Sequence, residues 1–236
     1  MLSQQKMLGL TCMGVEHVRD ATRGTDERGV FYLGCEAGGV LKCIIQFSKI
    51  HDKISATSKG EAFRNSKAAE AQDEPPEVVM PITFSYEPHG GPVHAVAASS
   101  LQRNLFISCG ADCTLRLHNS NSAKPMHSFE PSSSYLYSAS WSTARPLVFA
   151  TGDGKGSVHI YDFVKSSYQP VVSLDMPDAS NVYAMAFNPV GGDMLAAGEG
   201  SGAVRVWKVA RGLTVPVPGE LEKANVMGAD PKARAE

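Results

Sequence analysis

An all-β propeller is the fold class that this sequence predicts, and three observations carry the expectation. A short alternating segment recurs at residues 93–97, 136–141 and 182–187. Each copy is followed by an apolar run that ends in glycine, at 105–110, 147–152 and 194–198. A third segment then closes each unit, at 114–118, 157–161 and 203–207. Gly110, Gly152 and Gly198 read as turn glycines lying 42 and 46 residues apart, which is the period of a four-stranded propeller blade.

An earlier, degraded copy precedes these units. Leu10 to Val15 matches the first segment, residues 30–34 the second and residues 40–45 the third, with Cys35 to Gly39 as the turn. The distance from Gly34 to Gly110 is too long for one repeat. Residues 49–79 account for the excess: they are rich in Lys, Glu, Ser and Ala, contain Pro75 and Pro76, and lack strand alternation, so they read as a charged flexible insertion. Fourth strands are expected at 81–86, 126–129 and 171–174, each just before the next unit begins. The domain reading is a degenerate blade at 1–48, the insertion at 49–79, three further blades at 80–212 and a tail at 213–236 that is disordered or weakly helical from Glu220 to Asn225. About four blades are too few to close radially, so the sequence reads as the C-terminal part of a larger, roughly seven-bladed propeller. An open array exposes two blade faces, an aggregation liability.

Composition excludes several function classes. The chain has 236 residues, 43% hydrophobic and 19% charged, with a formal net charge of −2, so the basic footprint of a nucleic-acid binder is missing. No apolar stretch is long enough to span a membrane. Cys12, Cys35, Cys43, Cys109 and Cys113 make an odd count spread over strand-like segments, which suits reduced thiols in the cytosol better than a disulfide framework.

Several residues capable of chemistry have structural roles that suit their setting better. The stretch 152–157 suggests a phosphate loop, but its Lys155 is followed by Gly156 and then by a strand pattern, so a hairpin turn is the better reading. Cys109 and Cys113, near His94 and His118, have formally acceptable zinc spacing but no second pair. Neither a Gly-x-Ser-x-Gly elbow nor a His-Glu-x-x-His motif occurs. No catalytic, cofactor or metal site is expected. His94, Tyr137 and Tyr183 occupy one equivalent position in three blades, either as a ring of aromatics that grips a partner or as packing between blades. Arg103 and Arg145 each precede a second strand and read as loop charges, solvated or paired with a partner's carboxylates.

The third segments end in His118-Asn119, Tyr161-Asp162 and Trp207-Lys208, worn versions of the Trp-Asp ending of WD repeats. Beyond the general repeat, the chain resembles the dynein intermediate chains, especially that of cytoplasmic dynein 2. The match rests on Phe31 through Gly39 with Leu41-Lys42-Cys43, on Pro88 through Val93, on Gln102 through Ser108, on Trp141 with Arg145 through Ala150, on Gly154-Lys155-Gly156, and on Leu195 through Gly198. This resemblance implies a non-catalytic motor subunit whose propeller binds the dynein heavy chain beside another intermediate chain. Light chains would bind through an upstream region that these residues do not include. It further implies retrograde intraflagellar transport, in the cytoplasm, cytoskeleton and cilium or flagellum. The alternatives are an intermediate chain of another dynein, or a WD-repeat adaptor of a ubiquitin ligase or coat complex.

Overall fold

A computed structural model describes residues 9–16, 28–46 and 82–229. Within them, fifteen strands form four antiparallel sheets in chain order. The first blade comprises β1 (Leu10–Val15), β2 (Arg28–Cys35), β3 (Val40–Gln46) and β4 (Ile82–Tyr86). The second comprises β5 (Val93–Ala98), β6 (Leu105–Gly110), β7 (Leu115–Asn119) and β8 (His127–Phe129). The third comprises β9 (Leu136–Trp141), β10 (Val148–Asp153), β11 (Ser157–Asp162) and β12 (Val172–Asp175). The fourth has three strands, β13 (Val182–Phe187), β14 (Met194–Glu199) and β15 (Val204–Lys208). A helical turn, α1 (Arg211–Thr214), and a helix, α2 (Glu220–Gly228), follow. The expected insertion at 49–79 lies outside the described residues.

The leading strands β1, β5, β9 and β13 lie side by side, so the blades fan out from one line. Burial follows from that placement. In the interior blades, β6 and β10 are buried at every position because each is covered on both faces. At the rim, β12 alternates between half-buried and exposed. Each junction between blades has its own apolar core. Tyr32, Val40, Val93 and Phe106 fill the first, Leu105, Ile107, Leu136 and Phe149 the second, and Val148, Ile160, Val182 and Leu195 the third. Each such fully buried side chain is worth about 1.5–3 kcal/mol of transfer free energy.

The worn third-strand endings have a common physical role. His118 pairs with Phe106, Tyr161 with Phe149 and Trp207 with Leu195 across neighbouring strands. The His118 ring stacks on Phe106 with centroids 4.6 Å apart, and Tyr161 stacks on Phe149 at 5.5 Å. The site asks for a flat ring against its cross-strand neighbour, and His, Tyr and Trp all provide one.

The evenly spaced glycines are not turn glycines, which corrects the sequence reading. Gly110, Gly152 and Gly198 belong to strands β6, β10 and β14. At Gly152 a side-chain carbon would lie 2.5 Å from Val182 Cγ1, so glycine is there to admit the next blade. The left-handed turn position is instead Gly38 (φ 84°), Cys113 (φ 63°), Gly156 (φ 83°) and Gly202 (φ 87°). Six residues separate Gly34, Cys109, Gly152 and Gly198 from the first or second residue of the following strand, and the left-handed residue falls at the same step in every blade.

Cys113 alone among these four carries a side chain in a conformation that penalises one. Cys113→Gly is expected to stabilise the fold by about 0.5–1 kcal/mol, read as a higher urea midpoint with unchanged slope. Gly156→Ala should lower the midpoint, since its new carbon would sit 2.9 Å from the Ala179 backbone. Equal midpoints for all three proteins would contradict this account.

Candidate functional site

All four leading strands lose register at one place. The pairing with the second strand skips Thr11, His94, Tyr137 and Tyr183, so each is the extra residue of a β-bulge. A bulge re-aims its side chain, and here Thr11, His94 and Tyr137 reach the following blade while Tyr183 meets Tyr137 of the preceding one. His94 and Tyr137 stack with centroids 5.0 Å apart and planes 13° from parallel. Tyr137 meets Tyr183 edge-on, also at 5.0 Å. Tyr135 joins the row, 6.4 Å from both His94 and Tyr137. The structure therefore brings together the three aromatic residues singled out in the sequence and adds Tyr135, which the repeat alignment did not reveal because it precedes the strand.

Both readings of this row have a physical basis. The Thr11 hydroxyl donates to the Val93 carbonyl, and His94 Nδ1 donates to the Leu136 carbonyl at 2.9 Å, so these residues tie one blade to the next. Tyr135 and Tyr183 remain 53% and 55% exposed. Asn181 donates to the Tyr183 hydroxyl at 2.8 Å and fixes its direction. The row is thus partly structural and partly a rigid aromatic surface.

A Ser–His–Asp chain does occur, under the turn of the second blade. His89 Nδ1 lies 3.0 Å from both Asp112 carboxylate oxygens, and His89 Nε2 lies 2.7 Å from the Ser108 hydroxyl. Ser108 Oγ in turn lies 2.9 Å from His118 Nε2. With His89 Nδ1–H donating to the Asp112 carboxylate, the Ser108 hydroxyl donates to His89 and accepts from His118. That order leaves His118 Nδ1 as a buried acceptor without a partner. Ser108 and His118 are fully buried and His89 is 4% exposed, so no substrate reaches the serine. The chain of bonds serves to hold the turn onto the blade. Repeat spacing does not reveal this link, because it runs from Asp112 to Ser108 through His89, 23 and 19 residues away in the chain.

Related pairs hold the other turns. Asp153 lies 3.5 Å from His159 Nε2, and His159 Nδ1 lies 3.0 Å from the Ser173 hydroxyl. Arg205 donates to Glu199. Arg116, His159 and Arg205 are equivalent third-strand positions, each serving a carboxylate of its own turn. Cys109 is buried, which pushes its thiol up to about 12 and makes it a poor thiolate. Among the described residues no cluster of three or more His, Cys, Asp or Glu side chains is gathered for a metal, and no helix is long and apolar enough to cross a membrane.

Arg145 corrects the expectation of a loop charge. It is fully buried and donates to Asp162 at 2.7 Å and to Glu220 at 2.8 Å, both also fully buried. A third bond reaches the Gly212 carbonyl at 2.8 Å. Burial alone would discourage its charge, but Glu220 and Asp162 outweigh that and raise its pKa. It is therefore no contact for a partner. Of the two readings of the tail, the helical one from Glu220 agrees with α2 and the disordered one does not, because Glu220 begins α2 and anchors it to the third blade. Asn119 clamps the other end through the Met227 and Ala229 carbonyls at 2.6 and 2.8 Å. Arg103 is half-buried, and its carbonyl lies beside Gly228. Between α2 and the sheets runs an open groove of about 530 Å³ lined by Met126, His127, Phe163, Lys223 and Val226.

Comparison with known proteins agrees with this architecture. The family "WD domain, G-beta repeat" matches residues 81–119. The mouse cytoplasmic dynein 2 intermediate chain 2 is 35% identical over 205 residues, covering 86% of this chain and 35% of that protein. The human protein of the same name is 36% identical over 202 residues, covering 85% and 34%. A Drosophila melanogaster cytoplasmic dynein 1 intermediate chain is 28% identical over 145 residues, covering 59% and 22%. The chain thus spans about a third of the length of these curated relatives. A chain in a crystal structure of the mitotic checkpoint complex superposes with a TM-score of 0.56 at 12% identity, covering 79% of this chain and 48% of that one, a likeness of fold alone. The chain thus carries a WD repeat and is similar over about 200 residues to chains named as cytoplasmic dynein 2 intermediate chains.

Two outcomes test the buried networks. Arg145→Met should cost about 3–5 kcal/mol in urea unfolding, because it strands two buried carboxylates, and adding Glu220→Met should recover part of the loss. A single-variant loss below about 1 kcal/mol would mean that the triad does not hold α2. The second outcome concerns pH. Burial lowers His118 from 6.5 to about 3, so the unfolded chain binds a proton across that window and the folded chain does not; stability falls as pH drops through it. Burial opposes ionisation of Asp112 and Asp153, but their hydrogen bonds, led by His89 and His159, prevail and hold both at about 2, against an ordinary 3.8. That adds a further loss as pH falls below about 4. His118→Phe should flatten the upper part of the profile, measured by melting temperature against pH, and leave the lower part in place.

Proposed function

We propose that this chain acts as an intermediate chain of cytoplasmic dynein 2, with its blades binding the dynein heavy chain and so supporting motor assembly and retrograde intraflagellar transport. The observation that carries this reading is the similarity to relatives named for dynein 2, which extends across all four blades. The likeness to a dynein 1 intermediate chain is lower and shorter, which favours the dynein 2 assignment. On this reading the heavy chain and another intermediate chain are its partners, light chains bind through a region outside these residues, and the protein works in the cytoplasm, the cytoskeleton and the cilium.

The row of His94, Tyr137 and Tyr183, flanked by Tyr135, is the contact surface we assign to the heavy chain. Rigid aromatics with exposed faces give large contact area at small entropic cost. Their directions are set by bulges and by the Asn181 hydrogen bond, so little ordering remains to be done on binding.

Affinity purification of the tagged gene product from ciliated or flagellated cells, followed by mass spectrometry, tests the reading. A dynein 2 heavy chain is the expected prey, and Tyr183→Ala with Tyr135→Ala should reduce its recovery while leaving the melting temperature within a few degrees. Recovery of ubiquitin-ligase or coat subunits without any dynein chain would replace the motor reading with an adaptor.

A further inference from the structure

On the bulged side of the blades, Lys155 is a cation that the described residues leave without a carboxylate. The turn position just before the left-handed residues Gly38, Cys113, Gly156 and Gly202 holds Ala37, Asp112, Lys155 and Ser201. The third blade alone therefore places a cation there. The turn carboxylates Asp112, Asp153 and Glu199 each meet a basic side chain of their own third strand. Lys155 is exposed, and its ammonium group donates to the Ser133 hydroxyl at 2.7 Å. A hydroxyl offers that charge a hydrogen bond but no counter-charge.

The backbone fixes where that cation stands. The Lys155 N–H donates to Asp153 Oδ1 at 3.0 Å, and the Gly154 N–H donates to the Tyr135 carbonyl at 2.9 Å. The second bond ties the turn to residues 130–135, which lead into β9. A side-chain carbon at Gly154 would lie 3.1 Å from Tyr137 Cε2, so the turn rests against the stacked row. Ser133 is exposed and precedes Tyr135 by two residues. Accepting from Lys155 leaves the Ser133 hydroxyl proton free to donate, and the ammonium group keeps further N–H donors. Two donor groups thus stand together in solvent beside the 53% exposed ring of Tyr135. The site lies between the second and third blades, each of which has a described blade on its other side.

We propose that Lys155 and Ser133 receive an acidic side chain of the protein that docks on the aromatic row, an Asp or Glu next to an apolar or aromatic residue that covers Tyr135. The proposal rests on the assignment of the row to a docking partner and adds the chemistry that selects it. Charge complementarity argues for this occupant. A carboxylate accepts from the ammonium and the hydroxyl together, in charge-assisted bonds stronger than neutral ones. A basic side chain would instead meet Lys155 as a like charge, which costs affinity. The neighbouring ring supplies contact area, and the cation steers approach and fixes register.

Zero-length cross-linking of the complex purified with the full tagged chain tests it. A carbodiimide adds to a partner carboxylate, and the uncharged Lys155 amine attacks the activated carbonyl carbon. An amide forms as the urea leaves with the carboxylate oxygen and the proton. Peptide mass spectrometry is expected to join Lys155 to an Asp or Glu of the dynein 2 heavy chain. Lys155→Glu should lower heavy-chain recovery about fivefold or more at an ionic strength of about 0.15 M, and Lys155→Arg should retain it. Lys124→Glu, the same charge change on the loop after β7, should leave recovery unchanged. A link from Lys155 to an acidic residue of a prey other than dynein would support the proposal and overturn the motor reading. Equal heavy-chain recovery by the wild type and Lys155→Glu, with no link to Lys155, would overturn the proposal and leave the motor reading standing. A wild-type chain that recovers no partner overturns both.

Discussion

The step from one blade to the next is the constraint on which the rest of this structure depends. The second, third and fourth leading strands each begin with a buried apolar residue that needs a small residue facing it on the preceding sheet. Val93 on Gly34 and Val182 on Gly152 satisfy the need with glycine; Leu136 meets Cys109 instead, and the thiol points toward the Leu136 carbonyl. Interiors pack at crystal-like density, so an added methyl group at Gly34 or Gly152 would force the two sheets apart. The separate apolar cores, the bulges and the aimed side chains all follow from keeping successive sheets at this distance.

Much of the fold was legible because strand alternation and repeat spacing are local signals. Leu10–Val15 coincides with β1, and the fourth strands fall within a residue or two of their expected places. What failed was non-local. Spacing alone cannot distinguish a glycine that turns the chain from one that admits a neighbour, so Gly152 was misread and Gly156, four residues on, carries the positive φ instead. Arg145 was misread for the same reason: its counter-ions lie 17 and 75 residues away. Glu220 looks like the start of a polar tail, and only the buried guanidinium explains why a carboxylate would begin a docked helix there.

The candidate contact row was half legible. Alignment of the blades placed His94, Tyr137 and Tyr183 at one position, but only the register shows that this position is a bulge. The bulge frees such a residue from the ladder, and its side chain and the neighbouring blade decide whether it bonds across or stays exposed. Thr11 and His94 are occupied by the next blade, whereas Tyr183 and Tyr135 keep half their surface in solvent. One backbone device therefore serves cohesion at one end of the arc and exposure at the other.

The same groups that serve a hydrolase serve here as a brace, and access is what separates the two uses. Asp112, His89 and Ser108 have hydrogen-bond distances that would suit nucleophilic catalysis, yet the serine is sealed beneath the turn and its second bond to His118 occupies the lone pair a nucleophile would use. A sealed polar chain must be fully bonded or it destabilises its surroundings, and this one is complete except for His118 Nδ1. Its effect is to fix the turn against the head of the leading strand, where His94 begins the aromatic row. With backbone geometry set by bulge, turn and brace, the side chain at the bulged position can differ from blade to blade without disturbing the sheets. Thr11, His94, Tyr137 and Tyr183 differ in that way, and the chemistry that a partner meets along the arc is written at that single position.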